Sequence, residues 1–230
     1  MEQYVKQPNI PQESCKQIFV GRLGEDAKHL LNHYNISIID VAPNQDLPEN
    51  ISTHADLNLL YLGNGKIIKA ENGQLGLSYP DDAKFNVAIV GKYCFCNTKT
   101  VQADLLQMLR EYYEIVNINQ GYSKCNMAIL NENSIITEDW GIYEKAKTIG
   151  FDVLKLEPGH VKLNGYKYGF IGGAGGLISY NKYFFNGDID LHPQGYIIRN
   201  FFDKHNIQII GIKNKQLEDF GSIIQFIEEV

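Results

Sequence analysis

The pattern of apolar and polar positions repeats along the chain. Residues 125–139 and 174–188 each contain an apolar strand, a polar turn with an Asn, a second apolar strand and a final Asp. Residues 57–71 follow the same pattern and end on an acidic residue at the equivalent position. Apolar runs that flank Asn- and Gly-containing turns are typical of β-hairpins. The pattern therefore predicts three hairpins.

Amphipathic helices and short strands are predicted around these hairpins. Apolar residues recur at helical spacing in residues 25–33, 98–112, 139–149 and 195–205. Asn35, Gly150 and Asn206 follow three of these segments, and they are residue types suited to a left-handed helix end. Short apolar strands come next, at residues 36–41, 114–118, 153–156 and 207–212. The repeating unit is hairpin, helix, strand.

Four or five such units fit into the chain, because the first unit is incomplete and residues 72–97 have no clear assignment. Residues 220–226 are typical of a final strand with no helix after it. This strand could pair with residues 18–20 and close the chain into a ring without an open sheet edge. No linker is long enough to divide the chain, so we expect residues 1–230 to form a single α/β domain.

Composition and charge narrow the class of protein. The chain has 230 residues, 44% hydrophobic and 21% charged, which is typical of a soluble globular domain and excludes intrinsic disorder. No apolar run approaches the roughly 18 residues of a membrane span. The net charge of -6 argues against binding nucleic acid by broad phosphate neutralisation. We therefore expect neither a membrane nor a nucleic-acid partner.

The cysteines and glycines indicate no cofactor. The four cysteines form no CxxC pair and the first residues resemble no signal sequence, so we expect a cytoplasmic protein with reduced thiols. Cys94 and Cys96 share one face of a predicted strand, which is a weak metal-binding pattern. The glycines of residues 169–176 precede a strand, whereas nucleotide-binding loops precede a helix. We expect no cofactor and no metal.

Polar residues gather at the ends of the predicted hairpins. A hairpin returns the chain to the end at which it began, so residues before its first strand and after its second strand share one rim. If the ring closes, these rims converge and a site could be assembled there. The residues of the rims are His54, Asp56, Glu71, Lys124, Cys125, Asn126, Glu138, Asp139, Gly172, Gly173, Asn186 and Asp188.

A ring of ββαβ units resembles the pentein fold of guanidino-group-modifying enzymes, an α/β propeller around a central channel. This family includes arginine deiminases, dimethylargininases and amidinotransferases. His54-Ala55-Asp56 resembles its catalytic His-x-Asp motif, and GYSKCNM at residues 121–127 is similar to the run around the deiminase nucleophile. Through QGYSKCN, ITED, GFIGGAGG and FNGDIDLH the chain also resembles an uncharacterised bacterial family assigned to this fold.

The resemblance implies a Cys-His hydrolase, of the deiminase or dimethylargininase type, that acts on a small arginine-like molecule. Cys125 would be the nucleophile. Lys124 and His54 would lower the pKa of its thiol, and His54 would protonate the departing amine. The expected ligand is a small cationic guanidino or amidine compound.

Acidic residues would hold the guanidinium of such a ligand. Asp56, together with Asp139 or Asp188, could accept its bidentate hydrogen bonds. Asp139 and Asp188 also lie at predicted helix starts, where an Asp commonly caps the helix, so a structural role is open for both. The candidate catalytic residues are His54, Cys125 and Asp139. The candidate substrate-binding residues are Asp56, Gln120, Lys124, Asn126, Asn186, Asp188 and His192.

Two other functions remain open from the sequence. In the resembling enzymes the nucleophilic Cys lies late in the chain at the mouth of a closing strand, and matching hairpin order puts residues 172–176 there, without a thiol. The chain would then be a catalytically inactive binding module for a small ligand or a protein. A metal-dependent hydrolase could use His54, Asp56, Asp188 and His192, although no HExxH or similar motif supports it.

Overall fold

The computed structural model describes residues 1–230 and has fifteen strands and five α-helices. The strands are β1 (Glu2–Tyr4), β2 (Cys15–Val20), β3 (Ser37–Asp40), β4 (Leu59–Tyr61), β5 (Ile67–Lys69), β6 (Ala88–Val90), β7 (Tyr93–Cys96), β8 (Glu114–Asn117), β9 (Met127–Asn131), β10 (Ser134–Thr137), β11 (Asp152–Lys155), β12 (Gly175–Ser179), β13 (Lys182–Phe185), β14 (Gln208–Gly211) and β15 (Ile223–Glu229). The helices are α1 (Glu25–His33), α2 (Ala55–Asn58), α3 (Ala103–Tyr112), α4 (Trp140–Thr148) and α5 (Gly195–Lys204). None of these helices combines the length and apolar character that a membrane span requires.

The strands form five small sheets that follow one another along the chain. In order these are β1-β15-β2-β3, β4-β5, β6-β7-β8, β9-β10-β11 and β12-β13-β14. The three predicted hairpins are confirmed as the antiparallel pairs β4-β5, β9-β10 and β12-β13. A fourth hairpin, β6-β7, lies in the stretch that the sequence left unassigned. In three sheets the hairpin continues through a helix into a parallel third strand, which gives the ββαβ unit.

The two ends of the chain meet in one sheet. The predicted pairing of the last strand with residues 18–20 is confirmed, because Ile223, Ile224 and Gln225 lie opposite Val20, Phe19 and Ile18. Strand β1 covers the other edge of β15, and β3 pairs in parallel with β2. The first sheet therefore contains a ββαβ unit, β15-β2-α1-β3, that is complete only when both ends of the chain are present.

Each sheet buries both of its faces, because successive residues of a strand point into different apolar clusters. On β9, Met127 packs in a cluster with Phe95 of the preceding sheet, whereas Ala128 packs in a cluster with Leu177 of the following sheet. The same alternation gives five apolar clusters, and each sheet contributes to two of them. The first and last sheets also share a cluster, which includes Ile18 and Phe184. Each fully buried large side chain contributes about 1.5 to 3 kcal/mol to stability.

The predicted helix ends are confirmed by the backbone. Asn35, Gly150 and Asn206 have φ values of 58°, 92° and 55°, so each reverses the chain in the left-handed region. A third strand begins one to three residues after each of these residues. Sharp helix ends thus return the chain to its own sheet in these three units.

Candidate active site

Polar groups from the starts of five strands form one connected network. Asp56, Asn86, Cys125, Gly172 and Ser222 lie one to three residues before β4, β6, β9, β12 and β15. The Cys125 thiol donates to Asp56 Oδ2 over 3.1 Å, and Ser222 Oγ donates to the same oxygen over 2.5 Å. Asn86 Nδ2 donates to Cys125 Sγ over 3.1 Å, and Ser222 Oγ lies 3.0 Å from the Gly172 carbonyl oxygen. One strand start from each of the five sheets therefore reaches the same place.

His54 completes a cluster with Asp56 and Cys125. One nitrogen, oxygen or sulfur atom of each of these side chains lies within 4.8 Å of the others, and all three residues are buried. Asp219 Oδ1 lies 3.9 Å from His54 Nδ1. Gly221 has a φ of +84°, and a Cβ atom there would lie 2.4 Å from the His54 Cα atom. The close approach of the two chain segments thus requires a glycine at this position.

Asp219 holds the glycine-rich loop against the site. Its carboxylate accepts the backbone N–H groups of Phe170 over 2.9 Å and Gly221 over 3.0 Å. A Cβ atom on Gly173 would lie only 2.1 Å from Asp219 Oδ1. The glycines of residues 169–176 therefore allow close packing at the site, in agreement with the sequence argument against a nucleotide loop.

Two adjoining cavities lead to the cluster. The inner cavity has a volume of about 120 Å³. Its walls are formed by Ile51, His54, Leu57, Tyr122, Cys125, Leu163, Tyr166, Tyr168, Phe170 and Asp219. The outer cavity, of about 370 Å³, shares His54, Leu163 and Asp219 with it and is otherwise mainly polar. An aromatic compartment with a thiol, an imidazole and a carboxylate thus adjoins a polar vestibule.

The Cys125 thiol is neutral in this environment. Burial raises its pKa well above the usual value, and the negative charges of Asp56 and Asp219 add to this effect. From the sequence we expect Lys124 and His54 to lower this pKa, but the structure indicates that it is raised. Burial also lowers the pKa values of both His54 and Lys124, which weakens the positive charge on which that expectation depended.

The two buried carboxylates are both costly to ionise. Burial raises the pKa of Asp56, and although His54, Ser222 and Lys124 oppose this, the negative charge of Asp219 adds to it. Burial likewise raises the pKa of Asp219 to about 6. Asp56 Oδ1 is buried and has no hydrogen-bond partner. A cation bound at this position would favour the ionised form of both groups.

Asp139, Asp188 and Gln120 lie away from both cavities. Asp139 Oδ1 accepts the Ile142 N–H over 2.8 Å and caps α4, and Gln120 Nε2 lies 3.5 Å from its other oxygen. Asp188 accepts the N–H groups of Asp190 and Asn214 over 3.1 and 3.0 Å at the start of a short 3₁₀ turn. The structure therefore supports the capping role that the sequence left open for both aspartates.

Lys124 and Asn126 flank Cys125 but face different groups. The Lys124 side chain is buried and lines a small void together with Asp56. Asn126 Oδ1 accepts the Thr137 hydroxyl over 2.9 Å and the Glu138 N–H over 3.1 Å. Lys124 thus belongs to the charged centre, whereas Asn126 ties the two strands of its hairpin together.

Asn186 and His192 have separate locations. Asn186 lines the outer cavity, where its Oδ1 accepts the Lys215 ammonium over 2.8 Å. His192 Nδ1 accepts the Gln194 N–H over 3.0 Å, and its ring stacks edge-on against His160 at 5.1 Å. Glu71, which the hairpin register also aligned, is exposed and contacts its own turn. Of these three residues, Asn186 alone lines one of the two cavities.

Sequence reasoning missed Asn86, Asp219 and Ser222. Asn86 precedes the unassigned hairpin, and the other two precede the closing strand β15. The residue at the mouth of that strand is Ser222, so the hairpin-order placement of this position at residues 172–176 is corrected. Ser222 is fully buried with a φ of 65°, an uncommon backbone conformation for a non-glycine residue. The closing strand itself was the signal that could have located it.

Comparisons with known proteins agree with this architecture. Residues 70–224 match the model of a family described as a family of unknown function, DUF6873. No protein of curated function shows significant sequence similarity to the chain.

Several solved enzymes have a similar fold. An amidinotransferase of the saxitoxin pathway from Microseira wollei matches with a TM-score of 0.54 and 10% identity, over 90% of this chain and 91% of its own. DDAH from Pseudomonas aeruginosa, solved with citrulline, matches with a TM-score of 0.52 and 10% identity, over 86% of this chain and 92% of its own. An agmatine deiminase from C. jejuni matches with a TM-score of 0.52 and 11% identity, over 92% of this chain and 94% of its own. The resemblance to guanidino-modifying enzymes of the pentein fold is thereby confirmed for the fold.

Proposed function

The chain belongs to the family of unknown function DUF6873, and we propose that it recognises a small guanidino or amidine cation beside Cys125. The observation that carries this proposal is the meeting of two buried carboxylates, Asp56 and Asp219, with His54 and the Cys125 thiol next to an aromatic cavity. Carboxylates pair with planar cations through charge-assisted hydrogen bonds. A guanidinium would supply the positive charge that this site lacks.

The inner cavity suits a planar cation in size and in wall chemistry. Its volume of about 120 Å³ corresponds to about four water molecules at roughly 30 Å³ each, and a guanidinium has four heavy atoms. Tyr122, Tyr168 and Phe170 contribute aromatic faces, which attract cations. The polar outer cavity would hold the remainder of the ligand.

We also propose that the five sheets surround a central channel as an α/β propeller within one domain. The five apolar clusters support this arrangement, because each joins two sheets that follow one another and the last joins the final sheet to the first. The meeting of five strand starts supports it independently. A cytoplasmic location fits the four free cysteines.

Hydrolysis is the sharper form of the proposal. Cys125, after passing its proton to Asp56, would attack the central carbon of the guanidinium and form a C–S bond. Asp56 would relay this proton to His54, which would give it to the departing amine as the C–N bond breaks. Water would then cleave the C–S bond, which yields a ureido product and restores the thiol. The bound cation would assist the first step by offsetting the charges that raise the pKa of Cys125.

Binding without catalysis is the second candidate. The neutral state of the Cys125 thiol favours it, since the sulfur donates to one carboxylate and accepts from the Asn86 amide in a fully connected network. The presence of Ser222 at the mouth of β15 also favours it. In this case the same pocket would recognise the cation and perform no reaction.

A binding and turnover panel separates these candidates. Purified protein is titrated calorimetrically with arginine, agmatine and methylated arginines in the presence of EDTA, and ureido products and released amine are assayed. We expect binding of at least one compound. If hydrolysis occurs, Cys125→Ala removes turnover by several orders of magnitude while binding remains.

The matched control is Cys94→Ala, which removes another buried thiol, located on β7. It should leave both binding and turnover unchanged. Binding without turnover supports the second candidate. The absence of binding by every member of the panel would contradict the proposed recognition of guanidino compounds.

A further inference from the structure

Three side chains that commonly coordinate metals meet at the centre of the molecule. From the donor atoms of His54, Asp56 and Cys125, which lie within 4.8 Å of one another and are all buried, we propose that this site binds a thiophilic divalent cation, Zn²⁺. Zinc accepts nitrogen, oxygen and sulfur ligands together, whereas Mg²⁺ and Ca²⁺ prefer oxygen alone. The mixed donor set therefore selects against the hard cations.

The spacing of the donors fits a zinc ion after a small contraction. Donor atoms around tetrahedral zinc lie about 3.3 to 3.8 Å apart. Cys125 Sγ lies 3.1 Å from Oδ2 of the Asp56 carboxylate, whose other oxygen would face the ion, and the donor atoms of the three side chains lie within 4.8 Å of one another. A movement of about 1 Å by the His54 ring or the thiol closes the set. The chain supplies three ligands, and a water molecule would complete the tetrahedron.

An unsatisfied oxygen points to a cation at this position. Asp56 Oδ1 is buried without a partner, while Oδ2 is already engaged by Cys125 and Ser222. Buried polar atoms without partners are rare and costly in folded proteins. Coordination through Oδ1 would satisfy this oxygen and keep the hydrogen bond from Ser222.

Neighbouring groups would orient each ligand. Asn86 Nδ2 donates to Cys125 Sγ, which stabilises a thiolate. Asp219 Oδ1 faces His54 Nδ1 at 3.9 Å, and its carboxylate would orient the ring. Such outer partners are typical of zinc sites.

The charges balance when the dication is bound. The Cys125 thiol releases its proton to solvent and becomes a thiolate, as metal binding to cysteine requires. The two positive charges of the ion then face the thiolate and the Asp56 carboxylate that coordinate it.

The ion would occupy the position that we propose for the guanidinium. Both are cations that require Asp56, so Zn²⁺ should block guanidino compounds rather than assist them. The metal site does not rest on the proposed function, because its evidence is the donor set alone. His54 and Asp56 precede β4 and Cys125 precedes β9, so the third ligand joins the other two only in the folded chain.

Cobalt spectroscopy tests this inference. The intact chain is titrated with Co²⁺ at neutral pH, and its affinity for Zn²⁺ is measured by competition with a chelator. We expect one equivalent of Co²⁺ to give the visible bands of a tetrahedral site and the near-ultraviolet band of a cobalt-thiolate bond, both displaced by Zn²⁺. Absence of the thiolate band would overturn the proposal.

Variants assign the ligands. Cys125→Ser should abolish the thiolate band, and Asn86→Ala, which keeps all three ligands, should weaken Zn²⁺ binding about 10- to 100-fold. Cys94→Ala is the matched control and should retain the spectrum. Loss of the band in Cys94→Ala but not in Cys125→Ser would overturn the assignment. Circular dichroism of each variant verifies folding.

The outcome is separable from that of the proposed function. Guanidino binding is measured in EDTA, and metal binding is measured without any guanidino compound. Guanidino binding without the cobalt-thiolate band overturns the metal site alone. A cobalt-thiolate band without guanidino binding overturns the proposed function alone. If both ligands bind, zinc should raise the apparent dissociation constant of the guanidino compound.

Discussion

Carboxylates at the two ends of the hairpins have opposite environments. Asp56, before the first strand of its hairpin, is surrounded by side chains, and burial raises its pKa. Asp188 follows the second strand of another hairpin. Burial acts to raise the pKa of Asp188 as well, but the N–H groups of Asn214 and Asp190 outweigh it and the pKa is lowered. Asp139 similarly caps α4. The same residue type thus has a raised pKa at one end and caps a helix or turn at the other.

The direction of the chain explains the difference. The first strands of all five sheets begin at a common centre, so a polar side chain there meets the side chains of the other sheets. The second strands are followed by a helix or a 3₁₀ turn, where free N–H groups are available to an Asp. A shared rim is therefore too coarse a description, because the residues before the first strands meet one another, whereas Asp139 and Asp188 after the second strands accept nearby backbone N–H groups.

Removing the negative charge at each end tests this comparison, and its expected effect on ligand affinity is the largest of the predictions made here. Asp56→Asn should lower the affinity for a guanidino ligand on the order of 100-fold, because charge-assisted hydrogen bonds contribute about 1.5 to 3 kcal/mol each. Asp188→Asn should change it less than about twofold, because Asp188 caps a 3₁₀ turn and belongs neither to the cluster of His54, Asp56 and Cys125 nor to the cavity walls. Isothermal titration calorimetry measures both. Equal losses in the two variants would contradict the distinction between the hairpin ends.

Glu138 sharpens the comparison, because it lies next to Asp139 but is buried. Burial raises its pKa to about 7, while one oxygen accepts the Ile171 N–H and the other has no partner. Since the folded pKa exceeds the ordinary value of 4.5, the protonated form is favoured in the folded state. This contribution is present at low pH and is lost as the pH rises toward 7.

Glu138→Gln should therefore reduce the fall in stability between pH 4.5 and pH 7 by about 2 to 3 kcal/mol. Urea unfolding at several pH values measures it. Asp219 lowers the stability in the same pH range in wild type and in Glu138→Gln, so part of the pH dependence of the unfolding free energy should persist in the variant. The control is Glu144→Gln, an exposed substitution on α4. An identical pH dependence of wild type and Glu138→Gln would exclude this account.

The repeat made most of the fold predictable, because it is local. Hairpin turns, helical spacing and the residues Asn35, Gly150 and Asn206 each act within about ten positions of the chain. The closing pair β15-β2 was also predictable, since an apolar strand without a helix must find an edge. The hairpin β6-β7 was missed because its turn, at Gly91 and Lys92, lacks the Asn that marks the turns of the three predicted hairpins.

The site was predictable only in part. His54, Asp56 and Cys125 stand out by residue type at predicted strand starts, and their convergence was expected on the condition that the ring closes. Asn86 and Ser222 do not stand out, because their roles depend on hydrogen bonds to residues 39 and 166 positions away. The pKa of Cys125 was also beyond sequence reasoning, since the adjacent Lys124 is visible in the sequence and complete burial is not.

Removing the Asp139 cap of α4 should give the smallest effect of these substitutions, a modest loss of stability. Asp139→Ala eliminates the hydrogen bond from the Ile142 N–H to Asp139 Oδ1 and should lower the free energy of unfolding by about 1 kcal/mol. Asp139→Ser, which retains a capping oxygen, should recover most of this loss. Both variants should bind the guanidino ligand as wild type does, because Asp139 lies outside the two cavities. Urea unfolding and calorimetry measure the two quantities separately. A weakened affinity in both variants, at unchanged stability, would return Asp139 to the binding site.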